Sequence, residues 1–174
     1  LSQRFDESRD EISFSITPAQ DAEYMAAVES GDVETQQSMV DEAAKKAGYD
    51  SPKVYHGTNS EEFEVFERDG FPLYFFSENE GYAKLYGNRV VSAYLKYGKF
   101  KKIDREITAD ETVASSRVDL WKMFSDKFSG DEAIDTLIST PSKGNQETAV
   151  KSPNQIKSAD PITRDADGNV IPLS

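Results

Sequence analysis

Val54-Tyr55-His56-Gly57-Thr58 and Leu73-Tyr74-Phe75-Phe76 are the two runs that decide how this chain folds. Each is short, rich in β-branched or aromatic residues, and bounded by Gly, Pro, Asn or Ser, which is the pattern of a β-strand. Lys53 to His56 therefore reads as a strand, and Leu73 to Phe76 as a dense aromatic one. Between them Phe63, Val65 and Phe66 give another short β-like run after a Ser/Asn turn.

Toward the N-terminus the pattern changes to helical. Thr17-Pro18-Ala19-Gln20 offers Thr as N-cap, Pro at the first helical position and Gln three residues after the cap. The helix it opens carries Tyr24, Ala27 and Val28 on one face, and Gly31 closes it. Asp32 caps a second helix, with Gln36, Met39, Val40, Ala43, Ala44 and Ala47 at helical spacing, and Gly48 stops it. Residues 17–49 thus form a helical hairpin that leads into the first strand. Residues 1–16 are polar and mixed in charge, and read as a linker.

Toward the C-terminus, Asn79 to Tyr86 reads as a short helix ending at Gly87, and Arg89 to Lys96 as a strand. Ile103 and Asp104 follow a turn at Gly98. Residues 109–140 read as helices, with one apolar stripe at Val118, Trp121, Phe124 and Phe128 and another at Ala133, Ile134, Leu137 and Ile138. Pro141 to Asn145 is a loop, Gln146 to Lys151 a strand, and Ile156 begins a short extended piece. The tail from Pro161 is turn-rich and wraps the surface. This alternation predicts an α+β fold. A parallel, doubly wound sheet is disfavoured because no Gly-rich strand–helix turn is present.

With 174 residues, 37% of them hydrophobic, the chain is long enough for one domain with a core of its own. It opens on Leu1 rather than Met, which reads as a piece of something longer. The net charge of -12 repels phosphate backbones, so general nucleic-acid binding is disfavoured. Lys96, Lys99, Lys101, Lys102 and Arg105 form a local basic run, read as a solvated strand end and loop. With no cysteine and one histidine, thiolate nucleophiles, disulfides and His- or Cys-based metal sites are excluded. Asp165-Ala166-Asp167-Gly168-Asn169 has the outline of a calcium-loop start but lacks the later Glu, so a terminal turn is the reading and no metal is expected. No apolar run approaches a membrane span.

Taken singly, His56 is a structural histidine, Tyr74 and Tyr86 are core aromatics, and Glu147 is a strand-edge charge. Their order says more. His56-Gly57-Thr58 ends the first strand. Gly70-Phe71-Pro72-Leu73-Tyr74-Phe75-Phe76-Ser77 is an aromatic strand after a Gly, and Tyr86 follows in a small helix after Ala83. Glu147 stands in Glu147-Thr148-Ala149-Val150, eight residues before Gln155. This ordered set resembles the His-Tyr-Glu signature of the ADP-ribosyltransferases of the poly(ADP-ribose) polymerase type. The helical hairpin, the His-Gly-Thr strand and the closing Pro153-Asn154-Gln155-Ile156 further resemble the ADP-ribosyltransferase-like domains of phage and mobile-element polyvalent proteins. The resemblance covers residues 17–160, although residues 104–145 align with nothing in the family.

The resemblance implies a split β-sheet core with the hairpin at one edge. It divides the chain into the linker at 1–16 and a single domain at 17–174, made of the hairpin 17–49, a catalytic core 50–160 and a tail 161–174. It implies NAD as substrate, with transfer of ADP-ribose to a macromolecule and release of nicotinamide. His56, Tyr74 and Glu147 would be catalytic. His56, Gly57, Thr58, Tyr74, Ser77, Tyr82 and Tyr86 would bind NAD, with Tyr86 stacking on nicotinamide and Tyr82 its rival. Glu147 would favour the oxocarbenium-like state, as carboxylates do in glycoside hydrolysis. Asn145 stands where arginine-directed members carry Glu or Gln, which argues against arginine as acceptor. A protein acceptor is favoured over nucleic acid, no membrane is involved, and the setting is the cytoplasm or a host cytoplasm reached by delivery of a phage effector. An NAD glycohydrolase and a catalytically dead binding module are the alternatives.

Overall fold

The computed structural model describes residues 15–59, 73–103, 134–142 and 145–174. The expected run at Phe63, Val65 and Phe66 and the stripe at Val118, Trp121, Phe124 and Phe128 lie outside the described residues.

Two helices come first. α1 spans Pro18–Ser30 and α2 spans Val33–Lys46. Thr17 and Gln20 form a reciprocal capping box, and Gly31 ends α1 in the left-handed conformation at φ 71°. That conformation favours a residue without Cβ. Asp32 caps α2 by accepting from the Thr35 amide at 3.0 Å. The two helices meet where the buried Gln36 donates from Nε2 to the Ala27 carbonyl, at 2.8 Å.

The strands are β1 (Val54–Thr58), β2 (Tyr74–Ser77), β3 (Arg89–Leu95), β4 (Phe100–Ile103), β5 (Thr136–Ser142), β6 (Asn145–Val150) and β7 (Ile156–Ser158). Between β2 and β3 lie a one-turn helix α3 (Glu80–Ala83) and a 3-10 turn (Lys84–Tyr86). The strands form one mixed sheet in the order β4-β5-β6-β2-β1-β3-β7. Every neighbouring pair is antiparallel except β4 with β5.

The register separates two groups of strands. β1 pairs with β3 at five positions, from Val54 with Ala93 to Thr58 with Arg89. β2 pairs with β6 at four, from Tyr74 with Val150 to Ser77 with Glu147. Between the groups, β1 and β2 share one registered pair, Tyr55 with Ser77.

Thr136–Ser142 is a strand rather than part of a helix, which corrects the helical stripe at Leu137 and Ile138 and the loop at Pro141. A short apolar run fits either period, and here it completes a ladder against β6, placing Leu137 beside Ala149 and Ile138 beside Thr148. Tertiary pairing overrides the local pattern.

The core at the sheet centre gathers Val54, Tyr74, Phe76, Ala93, Leu95 and Val150. Burying each of the larger side chains contributes roughly 1.5–3 kcal/mol. The helices are tied to the β3–β7 edge. Tyr94 donates to Asp41 at 2.7 Å, Gln37 donates to the Ala159 carbonyl at 3.0 Å, and Tyr24 donates to the Pro161 carbonyl at 2.8 Å. Burial, reinforced by the Asp41 carboxylate, pushes the Tyr94 phenol well above its ordinary value, which keeps it a donor. The tail returns over α1, where the Leu173 and Ser174 amides donate to Asp21.

Candidate active site

β1 loses its registered pairing with β2 after Tyr55, although it runs on against β3 to Thr58. An unbroken ladder would set Gly57 opposite Phe75. Instead the His56 ring reaches across and donates from Nδ1 to the Phe75 carbonyl at 2.7 Å. A carbonyl can only accept, so this bond fixes the tautomer: Nδ1 carries the proton, and Nε2 of the neutral ring is an acceptor. The ring also lies against Phe76, with centroids 5.5 Å apart.

Gly57 does a structural job here. A Cβ on it would run into the backbone carbonyl of Ala83 and come within 3.2 Å of Tyr86 Cβ. Its lack of a side chain therefore lets α3 and the 3-10 turn lie directly on β1. Gly87 does the same one turn later, since a Cβ there would run into the Thr58 backbone. On the side a Cβ would occupy, Gly57 is covered by Ala83, while the residue itself still lines the cleft described below. These two close approaches bring Tyr82 and Tyr86 beside His56. The tyrosines sit edge to face with centroids 5.3 Å apart, and Tyr86 donates its hydroxyl to Tyr82 at 3.0 Å.

Glu147 comes from the other strand group. On β6 it stands between Ser77 of β2 and Ser139 of β5, and it is 2% exposed. Taking a carboxylate out of bulk water costs free energy and strengthens its hold on any nearby positive charge. Ser77 Oγ accepts from the Asn79 amide at 3.1 Å. Asn79 in turn caps α3 through Oδ1, which accepts from the Tyr82 amide at 3.1 Å. The Asn79 Nδ2 donates to Asn145 Oδ1 at 2.8 Å, and Gln146 donates to Glu78 at 3.2 Å. The start of β6 is thereby fastened to the turn that follows β2.

A narrow cleft of about 260 Å³, open to solvent, runs along this junction. Of the expected site residues, His56, Gly57, Ser77, Tyr82, Tyr86 and Glu147 line it together. Tyr82 and Tyr86 both face it.

Two expected residues fall elsewhere. Tyr74 is 7% exposed and packs in the core with Val54, Leu95 and Val150, outside the cleft lining. On β2 the lining begins one residue later and runs through Phe75, Phe76 and Ser77. Thr58 ends β1 opposite Arg89 and also falls outside the lining. Tyr55, Phe75, Phe76 and Ala83 line the cleft without having been expected to.

Gln155, the last element of the sequence pattern, braces the core. It is buried and donates from Nε2 to the Lys96 carbonyl and to Thr136 Oγ1, each at 3.1 Å. Among the described residues no group of His, Asp and Glu is arranged to hold a metal ion. Asp165 instead folds the tail turn, accepting from the Asp167 and Asn169 amides, and these bonds hold its carboxyl below the ordinary value.

The family model described as ADP-ribosyltransferase in polyvalent proteins matches residues 50–164, more than half of the chain. No curated protein matches it. The chain belongs to this family of ADP-ribosyltransferases.

Proposed function

We propose that this chain uses NAD as the donor and moves a single ADP-ribose to a macromolecular acceptor, releasing nicotinamide. The observation that carries the reading is the convergence of His56, Tyr82, Tyr86 and the buried Glu147 on one cleft at the junction of two strand groups. The single registered pair between β1 and β2 supports a split core at that junction, with α1 and α2 as the hairpin at the far edge.

The reaction breaks the bond between ribose C1′ and the nicotinamide nitrogen. Nicotinamide leaves with the bonding pair, and C1′ becomes oxocarbenium-like. The Glu147 carboxylate stabilises that positive charge and holds the ribose 2′-hydroxyl. The Tyr82 and Tyr86 rings supply flat faces for the pyridinium. His56, held by Phe75, offers Nε2 to a hydroxyl of the adenine-side ribose. Phe75 takes the strand position first given to Tyr74, whose hydroxyl is then not needed in the cleft. The acceptor attacks C1′ from the open face and loses its proton.

A protein acceptor suits a chain of net charge -12 better than a nucleic acid does. Among the described residues no helix is long and apolar enough to cross a membrane. We place the activity in a cytoplasm, its own or that of a host reached as an effector of a phage polyvalent protein. The test is incubation with NAD and a cell lysate, followed by mass detection of ADP-ribose. Mass added to a protein supports transfer. Free ADP-ribose alone would make the chain an NAD glycohydrolase, and unchanged NAD would make it a binding module.

A further inference from the structure

We infer that Asn79 is a positioning residue for this site, fixing the two tyrosines of the 79–86 segment relative to Glu147. The inference rests on the proposed reaction and adds a residue to it. Asn79 uses both ends of its amide. Oδ1 accepts from the Tyr82 amide and so starts the helix that carries Tyr82 and leads into Tyr86, while Nδ2 donates to Asn145, two residues before Glu147 on β6. One side chain thus spans from the stacking pair to the strand of the carboxylate.

Packing on β1 fixes the height of this segment, with Tyr82 and Ala83 buried. α3 is one turn long, and its contact with β1 depends on two glycines that lack side chains. Cap and bridge together set how far the tyrosine rings stand from the carboxylate. The neighbouring Gln146–Glu78 bond at 3.2 Å runs parallel to the bridge and reinforces it. Nicotinamide and the ribose it leaves must meet the tyrosines and Glu147 at the same moment, so this distance matters for turnover more than for binding. A misplacement on the order of 1 Å can lower a rate by up to about a hundredfold.

Two variants break the bridge in different ways. Asn79→Ser keeps an N-cap oxygen but cannot reach Asn145. Asn145→Ala leaves the cap untouched. Asn79→Asp keeps the cap oxygen and the reach of the side chain, with its second oxygen facing the Asn145 amide. The experiment measures nicotinamide release, KM for NAD, thermal stability, and hydrogen exchange of the 79–87 peptides. In N79S and N145A, kcat should fall tenfold or more while KM and melting temperature stay close to wild type. N79D should recover most of the rate. Exchange should rise in 79–87 for both bridge-breaking variants, NAD or no NAD.

A purely structural role would lower the melting temperature and leave kcat per folded molecule unchanged, which overturns the inference. Unchanged exchange in 79–87 overturns it too, without any reference to activity. If wild type released no nicotinamide while exchange rose as expected, the bridge would stand and the proposed function would fall.

Discussion

Along its β3 side β1 is paired at five successive positions, whereas along its β2 side the register holds one pair, Tyr55 with Ser77. The first flank is an ordinary antiparallel ladder, closed by backbone hydrogen bonds. On the second, the ladder stops, the His56 ring takes the Phe75 carbonyl, and a cleft opens. A sheet makes room for a ligand at its centre by giving up pairing there. A buried backbone carbonyl still needs a donor, and a side chain that supplies one is fixed in place by doing so. The difference between the flanks therefore explains both the space and the fixed orientation of His56.

The comparison can be broken in four ways, taken in order of expected effect. Glu147→Gln keeps the shape of the second flank but removes its charge. Turnover should drop on the order of a hundredfold, about 3 kcal/mol, with NAD affinity nearly unchanged, because the charge acts on the transition state. Wild-type nicotinamide release by this variant would mean that the second flank is not catalytic.

Gly57→Val comes next. The new side chain must displace the Ala83 backbone, so calorimetry should show about 1–3 kcal/mol lost, together with weaker NAD binding as Tyr82 and Tyr86 move. Normal stability and affinity would show that the close approach of α3 to β1 is dispensable.

His56→Ala removes one hydrogen bond to Phe75 and one proposed contact to ribose. NAD affinity by isothermal titration should weaken by roughly tenfold, on the order of one hydrogen bond to each partner, with kcat reduced far less than in the Glu147 variant. The reverse split, unchanged affinity with lost turnover, would exchange the roles of the two residues.

On the closed flank Ser92→Ala is the contrast. It deletes an exposed bond to Asp160 and should change stability by less than about 0.5 kcal/mol, with NAD binding and turnover unaffected. A large effect there would mean that the two flanks are coupled and the comparison is too simple.

The sequence made much of this legible, for identifiable reasons. Caps and stops at Thr17, Gly31, Asp32 and Gly48 are local chemistry, and both helices fall between them. β1, β3 and β6 carry clear strand runs. Asp165 was readable as a turn because its carboxylate had amides within reach two and four residues on. What was hidden depends on partners distant in sequence. Leu137 and Ile138 become a strand only because β6 lies beside them. Which of Tyr74, Phe75 and Phe76 reach the cleft depends on where β1 lies beside β2, which an aromatic run of three does not reveal. That Gly57 also lets the Ala83 carbonyl lie against β1 depends on a partner 26 residues on and carries no local signal. The Asn79–Asn145 bridge joins positions 66 residues apart and carries no local signal.

The central claim is that NAD occupies the gap between β1 and β2, with its reacting ribose against Glu147. A crystal structure of the wild-type protein with a non-cleavable NAD analogue tests this most directly. The nicotinamide ring should lie on the Tyr82–Tyr86 pair, which also decides between the two rings, with a Glu147 carboxylate oxygen within hydrogen-bond distance of the ribose 2′-hydroxyl. An analogue bound elsewhere, or bound in the cleft with its ribose turned away from Glu147, would contradict the account.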